Sequence, residues 1–260
     1  MSKVRNLGVL LFVSLLANLL FWATGALYVF YVRQHGGVAR FIERFGTPSP
    51  IAANATIESR VRRSLFKTLE PSSAQSPTVF LGDSLTELCE WNELLDAPVL
   101  NRGISSDTTV DVLNRLDTVL ALHPKAIYLM IGINDAVEGS SVAAAAGRYQ
   151  QILHTIHKAD PATAVYMQSV LPVLSTGSFV EMLGRNGGPR LNQWVREMNQ
   201  TISGYADNKS FFYINVHDDL LENNELAGRY TVDGIHLTGA GYTVWKRRVL
   251  TFLMRQEPAL

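Results

Sequence analysis

Four short segments of this chain carry groups suited to acyl transfer. Gly82-Asp83-Ser84-Leu85-Thr86 follows an apolar run, residues 78–81, that reads as a strand. A serine at a strand-to-helix turn presents its hydroxyl and its own amide to the same point. The hydroxyl can attack a carbonyl, and the amide can bind the oxygen that becomes charged. Asp233-Gly234-Ile235-His236 stands before the last apolar segment. There His236 can take the Ser84 proton, while Asp233 orients its imidazole and stabilises the imidazolium. Gly103 closes Asn101-Arg102-Gly103 after a second apolar run, where a missing Cβ lets a backbone N–H approach a bound oxygen. Asn134, in Gly132-Ile133-Asn134-Asp135, follows a third run and can donate to that oxygen from its side-chain amide. The expected site is therefore Ser84, Asp233 and His236 as catalytic residues, with Ser84, Gly103 and Asn134 as the oxyanion hole. No metal and no cofactor is expected.

These segments need elements that aim them at one point, and the hydropathy pattern supplies them. Apolar runs at 78–81, 98–100, 126–131, 164–170 and 211–214 read as strands. Helical periodicity covers 107–121, with Asp107 as the expected N-cap, then 142–159, 189–206 and 240–254. Strands alternating with helices imply an α/β fold with a parallel sheet covered on both faces. In such folds reacting groups sit at the carboxyl ends of the strands, where the small and polar residues of this chain cluster.

Ser84, Gly103, Asn134 and His236, in that order, resemble the four signature residues of the SGNH (GDSL) hydrolases. The surrounding text GDSLTE, NRGISSDTT, GIND and DGIHLTGAGY is similar too. The likeness spans about residues 78–250 and is strongest to bacterial acylesterases near the platelet-activating-factor acetylhydrolase subunits. It implies a three-layer flavodoxin-like fold and hydrolysis of acyl or acetyl esters without a metal. The expected partner is thus a small-molecule, lipid or sugar ester. Acyl transfer to a sugar or lipid hydroxyl would use the same residues. A non-catalytic binding module on this fold is the contrasting expectation, and the intact Ser84, Asn134, Asp233 and His236 argue against it.

The remaining candidates read as structural. His154 and His157 lie three apart on a predicted helix with no third metal ligand in sight. His123 and His217 fall near element ends. Asp83 and Asp135 suit turns that bind local backbone N–H groups. Arg102 fits a salt bridge better than a substrate contact. Cys89 reads as a core thiol, and as the sole cysteine it excludes an intrachain disulfide. Gly177 and Gly187-Gly188 fit a loop.

The N-terminal region has another character. Residues 1–76 carry nine Lys/Arg against three Asp/Glu, and residues 77–260 carry fourteen against twenty. An acidic domain excludes a basic nucleic-acid face, whereas the basic segment suits anionic headgroups. Residues 6–32 hold no charge. As a helix the run is about 39 Å long, against about 30 Å of hydrocarbon. A single-pass anchor is therefore expected at 1–35, with the catalytic domain exported. A cleavable signal peptide ending near Ala26 is disfavoured because the apolar run continues to Val32. Residues 36–76 are expected to link anchor and domain, and 77–260 to form the hydrolase domain. Within the link, residues 46–55 read as irregular around Pro48 and Pro50. Ile57, Val61, Leu65 and Leu69 form one face of a short helix opposite Arg60, Arg62, Arg63 and Lys67. That helix could lie on a membrane or pack on the domain.

Overall fold

The structure, a computed structural model, describes residues 50–69 and 76–253. The expected anchor at 1–35 lies outside these residues. Among the described residues no helix is long and apolar enough to cross a membrane.

Five parallel strands form the sheet: β1 (Thr78–Gly82), β2 (Val99–Gly103), β3 (Ala126–Met130), β4 (Ala164–Gln168) and β5 (Phe211–Ile214). Their spatial order is β2-β1-β3-β4-β5. The chain moves from β1 to one side and returns to the other for β3. The carboxyl ends of β1 and β3 thus border the crevice where strand order reverses.

Register explains the core. Phe80, Tyr128, Tyr166 and Phe212 are direct neighbours on adjacent strands. Identical positions point to one face of a sheet, so their rings stack at 4.8, 4.6 and 5.1 Å. Trp91 of α3 (Trp91–Leu95) stacks on Phe80 at 4.2 Å. Trp245 of the last helix, α10 (Gly239–Leu253), meets Trp91 edge-on at 4.9 Å. The opposite layer contains α4 (Thr109–Asn114), α5 (Leu116–Leu120), α7 (Val142–Ala159) and α9 (Gly187–Ser203). Three short helices follow strand ends or loops: α2 (Ser84–Glu87), α6 (Ile133–Val137) and α8 (Ser178–Glu181). A two-stranded antiparallel hairpin, β6 (Leu221–Glu222) with β7 (Glu225–Leu226), lies apart from the main sheet.

Two local expectations change. The helix expected at 107–121 is broken at Arg115, whose φ of −118° leaves the helical range. Its buried guanidinium is drawn inward to Asp107 and to the Gly82 and Arg102 carbonyls. The cap is Thr108, not Asp107: the Thr108 amide donates to Asp111 at 3.1 Å. Residues 50–55, expected to be irregular, belong to α1 (Pro50–Thr68). Proline at the first helical position lacks only an N–H that would have no helical partner, so Pro50 starts the helix.

α1 packs through its charged side. Arg62 and Arg63 contact the domain, whereas Ile57, Val61, Leu65 and Leu69 are about half or more exposed. Of the two placements open to this helix, packing on the domain is the one seen, through Arg62 and Arg63.

Candidate active site

Three crevice-facing turns converge. Ser84 is the first residue of α2, directly after β1, and Asp83 caps that helix by accepting the Leu85 amide at 3.0 Å. Asn101 holds the other end. Its Nδ2 donates to the Thr86, Glu87 and Cys89 carbonyls at 3.0–3.1 Å, satisfying groups a one-turn helix cannot pair itself. The Tyr242 hydroxyl of α10 donates to the Leu85 carbonyl at 2.9 Å, and so ties α2 to the element that follows His236.

The result is a chain of three side chains. Ser84 Oγ lies 3.0 Å from His236 Nε2, and His236 Nδ1 lies 2.6 Å from Asp233 Oδ2. The other Asp233 oxygen accepts the Ile235 and His236 amides at 2.9 and 2.8 Å. Partial burial raises the Asp233 carboxyl. The bonds from the His236 ring and these two amides overcome that and hold it below the usual carboxylate range. An ionised Asp233 fixes the imidazole with Nδ1 protonated and leaves Nε2 to accept from the serine. Phe179 of α8 stands edge-on to the His236 ring at 6.3 Å, and its amide donates to the Asp233 carbonyl.

Asn134, near the start of α6, donates from Nδ2 to the Asp107 carbonyl at 2.9 Å. This fixes the amide plane and leaves the second Nδ2 hydrogen without a partner among the described residues. Gly103 behaves differently from its expected role. Its amide donates to Asn101 Oδ1 at 2.9 Å, so it is already engaged. The lack of a Cβ serves packing instead, because a Cβ there would stand 2.3 Å from the Glu87 nitrogen. Ser106 is not among the expected oxyanion donors. Residues 104–107 form a turn closed by the Asp107 amide on the Ile104 carbonyl, with Ser106 at φ +66°. A type II turn requires this conformation at its third position, usually from glycine. The Ser106 amide has no partner among the described residues. Without a glycine at that place, the pattern gave no signal.

Charged groups buttress the same turn. Asp107 is fully buried between Arg115, at 2.6 Å, and Arg63. Burial pushes its carboxyl up to about 6 against the pull of both arginines. Asp83 is also buried, with Asp107 and Asp135 nearby, and is pushed up to about 7. Asp135 caps α4 by accepting the Thr109 amide and hydroxyl and binds Arg148, a longer reach than the local turn expected of it. Arg102 lies over the Phe66 ring at 4.5 Å, and it forms no salt bridge among the described residues. Cys89 is buried, and burial pushes its thiol up to about 12. His154, His157 and His123 are exposed, and the buried His217 binds Asp218.

Ser84, His236 and Asp233 thus form one chain of contacts after β1 and before α10, and Asn134, after β3, is bonded to the turn at 104–107 that follows β2. A serine hydroxyl in contact with an imidazole that a carboxylate orients is an arrangement suited to acyl transfer. Comparison with known proteins agrees. Residues 80–244 match the GDSL-like lipase/acylhydrolase family. A solved Streptococcus pneumonia protein named after platelet activating factor is 26% identical, with a TM-score of 0.67. The match covers 75% of this chain and 92% of that one. A GDSL-like lipase from Bacteroides thetaiotaomicron is 21% identical, with a TM-score of 0.65 over 78% of this chain and 99% of its own. A carbohydrate acetylesterase family member from Sinorhizobium meliloti is 17% identical, with a TM-score of 0.55 over 70% and 98%. No curated protein matches the sequence. The chain belongs to the GDSL-like lipase/acylhydrolase family and is a serine ester hydrolase.

Proposed function

We propose that Ser84, His236 and Asp233 hydrolyse a carboxylic ester through an acyl-enzyme. The observation that carries this reading is the unbroken contact from Ser84 Oγ to His236 Nε2 to Asp233. Ser84 Oγ attacks the ester carbonyl as its proton passes to His236 Nε2. The oxyanion is met by the Ser84 amide, the second Nδ2 hydrogen of Asn134 and the Ser106 amide. The Gly103 amide is not in this set, because Asn101 holds it. His236 then returns its proton to the departing alcohol. Water next attacks the acyl group, giving its proton to His236. Collapse releases the acid, and the proton goes back to Ser84.

Acyl and acetyl esters, including acetylated sugars and lysolipids, are the substrate classes for this chemistry. Tethering of an exported domain to a membrane is part of the reading and is supported by the uncharged run at 6–32. Covalent labelling by a fluorophosphonate, mapped by peptide mass, tests the nucleophile. Label is expected on Ser84 and absent in Ser84→Ala and His236→Ala. Label on Ser105 or Ser106 would refute the assignment. A hydrolysis panel from acetyl to long acyl esters, with and without an acceptor alcohol, then sets chain length and separates hydrolysis from transfer.

A further inference from the structure

We propose that α1, which lies outside the family match at 80–244, is a working part of the active site. Its Arg62 and Arg63 are positioning residues that hold the turn carrying the oxyanion donors. The proposal rests on the mechanism above.

The two arginines grip the turn at both ends. Arg62 Nε donates to the Gly103 carbonyl at 2.9 Å, where the chain leaves β2. The same nitrogen lies 3.1 Å from Glu87 Oε1, and the other Glu87 oxygen accepts the Ser105 amide and, at 2.7 Å, its hydroxyl. Arg63 Nη2 bonds the Asp107 carboxylate and reaches Asp111 at 3.1 Å. Phe66, one turn along, lies between the guanidinium groups of Arg62 and Arg102, at 5.0 and 4.5 Å from its ring centre. These contacts bracket Ser106, and the Asp107 carbonyl is the acceptor that orients Asn134. The turn tied to two of the three proposed donors is therefore gripped by α1 from one side and by Arg115 from the other.

The turn also needs external support. Ser106 sits at φ +66°, a conformation that is strained for a non-glycine residue, so an unsupported turn relaxes. Relaxation moves donors that act only when accurately placed, and misplacement by about 1 Å can cost about 10²-fold in rate. Burial and pairing show that α1 is held firmly here. Asp107 is completely buried and Glu87 nearly so, and Arg63 and Arg62 stand over them as their counter-charges.

The test uses the full chain with Arg63→Ala, Arg63→Lys, Asn134→Ala and the Arg63→Ala/Asn134→Ala pair. Steady-state hydrolysis of an acetyl ester, melting temperature and fluorophosphonate labelling are read for each. Arg63→Ala should lower kcat about 10–100-fold and change KM less than about 3-fold. Arg63→Lys should recover most of the loss, because one cationic nitrogen serves both Asp107 and Asp111. In the pair, the combined loss should fall short of the product of the two single losses, because part of the effect of Arg63 runs through the carbonyl that orients Asn134. A kcat within about 2-fold of wild type for Arg63→Ala overturns the proposal, as do losses that multiply in the pair. Should Arg63→Ala not fold, failure of the folded Arg63→Lys chain to exceed Asn134→Ala in kcat overturns it as well. Wild-type chain that neither labels at Ser84 nor hydrolyses esters removes the mechanism, and this proposal with it. Labelled, active wild type beside an unimpaired Arg63→Ala removes only the role of α1.

Discussion

Asn134→Ala separates transition-state chemistry from structure at one side chain. Its Nδ2 carries two hydrogens. One is held by the Asp107 carbonyl at 2.9 Å, and the other is the proposed oxyanion donor. Removing a preorganised donor of this kind costs about 2.7–4 kcal/mol in the transition state, which is about 10²–10³-fold in kcat. Removing the bond to Asp107 costs a net of about 1 kcal/mol of stability. For a domain of this size that lowers Tm by about 2–4 °C. The ground-state carbonyl holds little charge, so KM should change less than about 3-fold. Initial rates on a chromogenic acetyl ester and a thermal melt by circular dichroism give both numbers on one preparation. A folded variant whose kcat stays within about 5-fold of wild type would remove Asn134 from the mechanism. A raised KM with unchanged kcat would show instead that the amide binds the ground state.

Two further outcomes follow from the environment of the site. Asp83 holds its proton to about 7 in the folded chain against a usual 3.8, so the protonated form adds stability at pH 4 that is lost as pH rises through 7. Asp83→Asn should therefore gain stability over wild type between pH 4 and 8, by on the order of 4 kcal/mol at most. Urea melts at both pH values measure this, and a pH-independent difference would show that Asp83 does not titrate there. Ser106→Gly should leave kcat unchanged, because the amide remains, and should stabilise the chain by up to about 1 kcal/mol as the φ +66° strain is relieved. Chemical denaturation reads it, and a loss above about 1 kcal/mol would assign the Ser106 side chain a contact of its own.

The sequence made legible whatever buries apolar surface with a period. All five strands start within one residue of expectation, and the helix at 142–159 matches α7. Ser84, Asp233, His236 and Asn134 converge because each closes or follows a strand end or stands before α10. What stayed hidden depends on charge and on single dihedral angles. The break at Arg115 comes from a guanidinium turning inward to Asp107, which leaves the apolar spacing of 107–121 intact. α1 docks by its arginines and leaves its apolar stripe outside, the reverse of what periodicity suggests. At the oxyanion turn a glycine stood where packing needed it, at 103, and a serine stood where the backbone turns left-handed, at 106.

The 3.0 Å contact between Ser84 and His236 joins residues 152 positions apart. Synthesis at about 5–20 residues per second separates them by roughly eight to thirty seconds. Throughout that interval the nascent chain holds Ser84, the proposed nucleophile, without His236, its proposed base. The base is seated only when α10 docks, with Tyr242 on the Leu85 carbonyl and Trp245 on Gln168 at 2.6 Å. On the proposed mechanism, hydrolysis therefore begins only once the segment through α10 is made and folded, and its onset during refolding would time the docking of that helix.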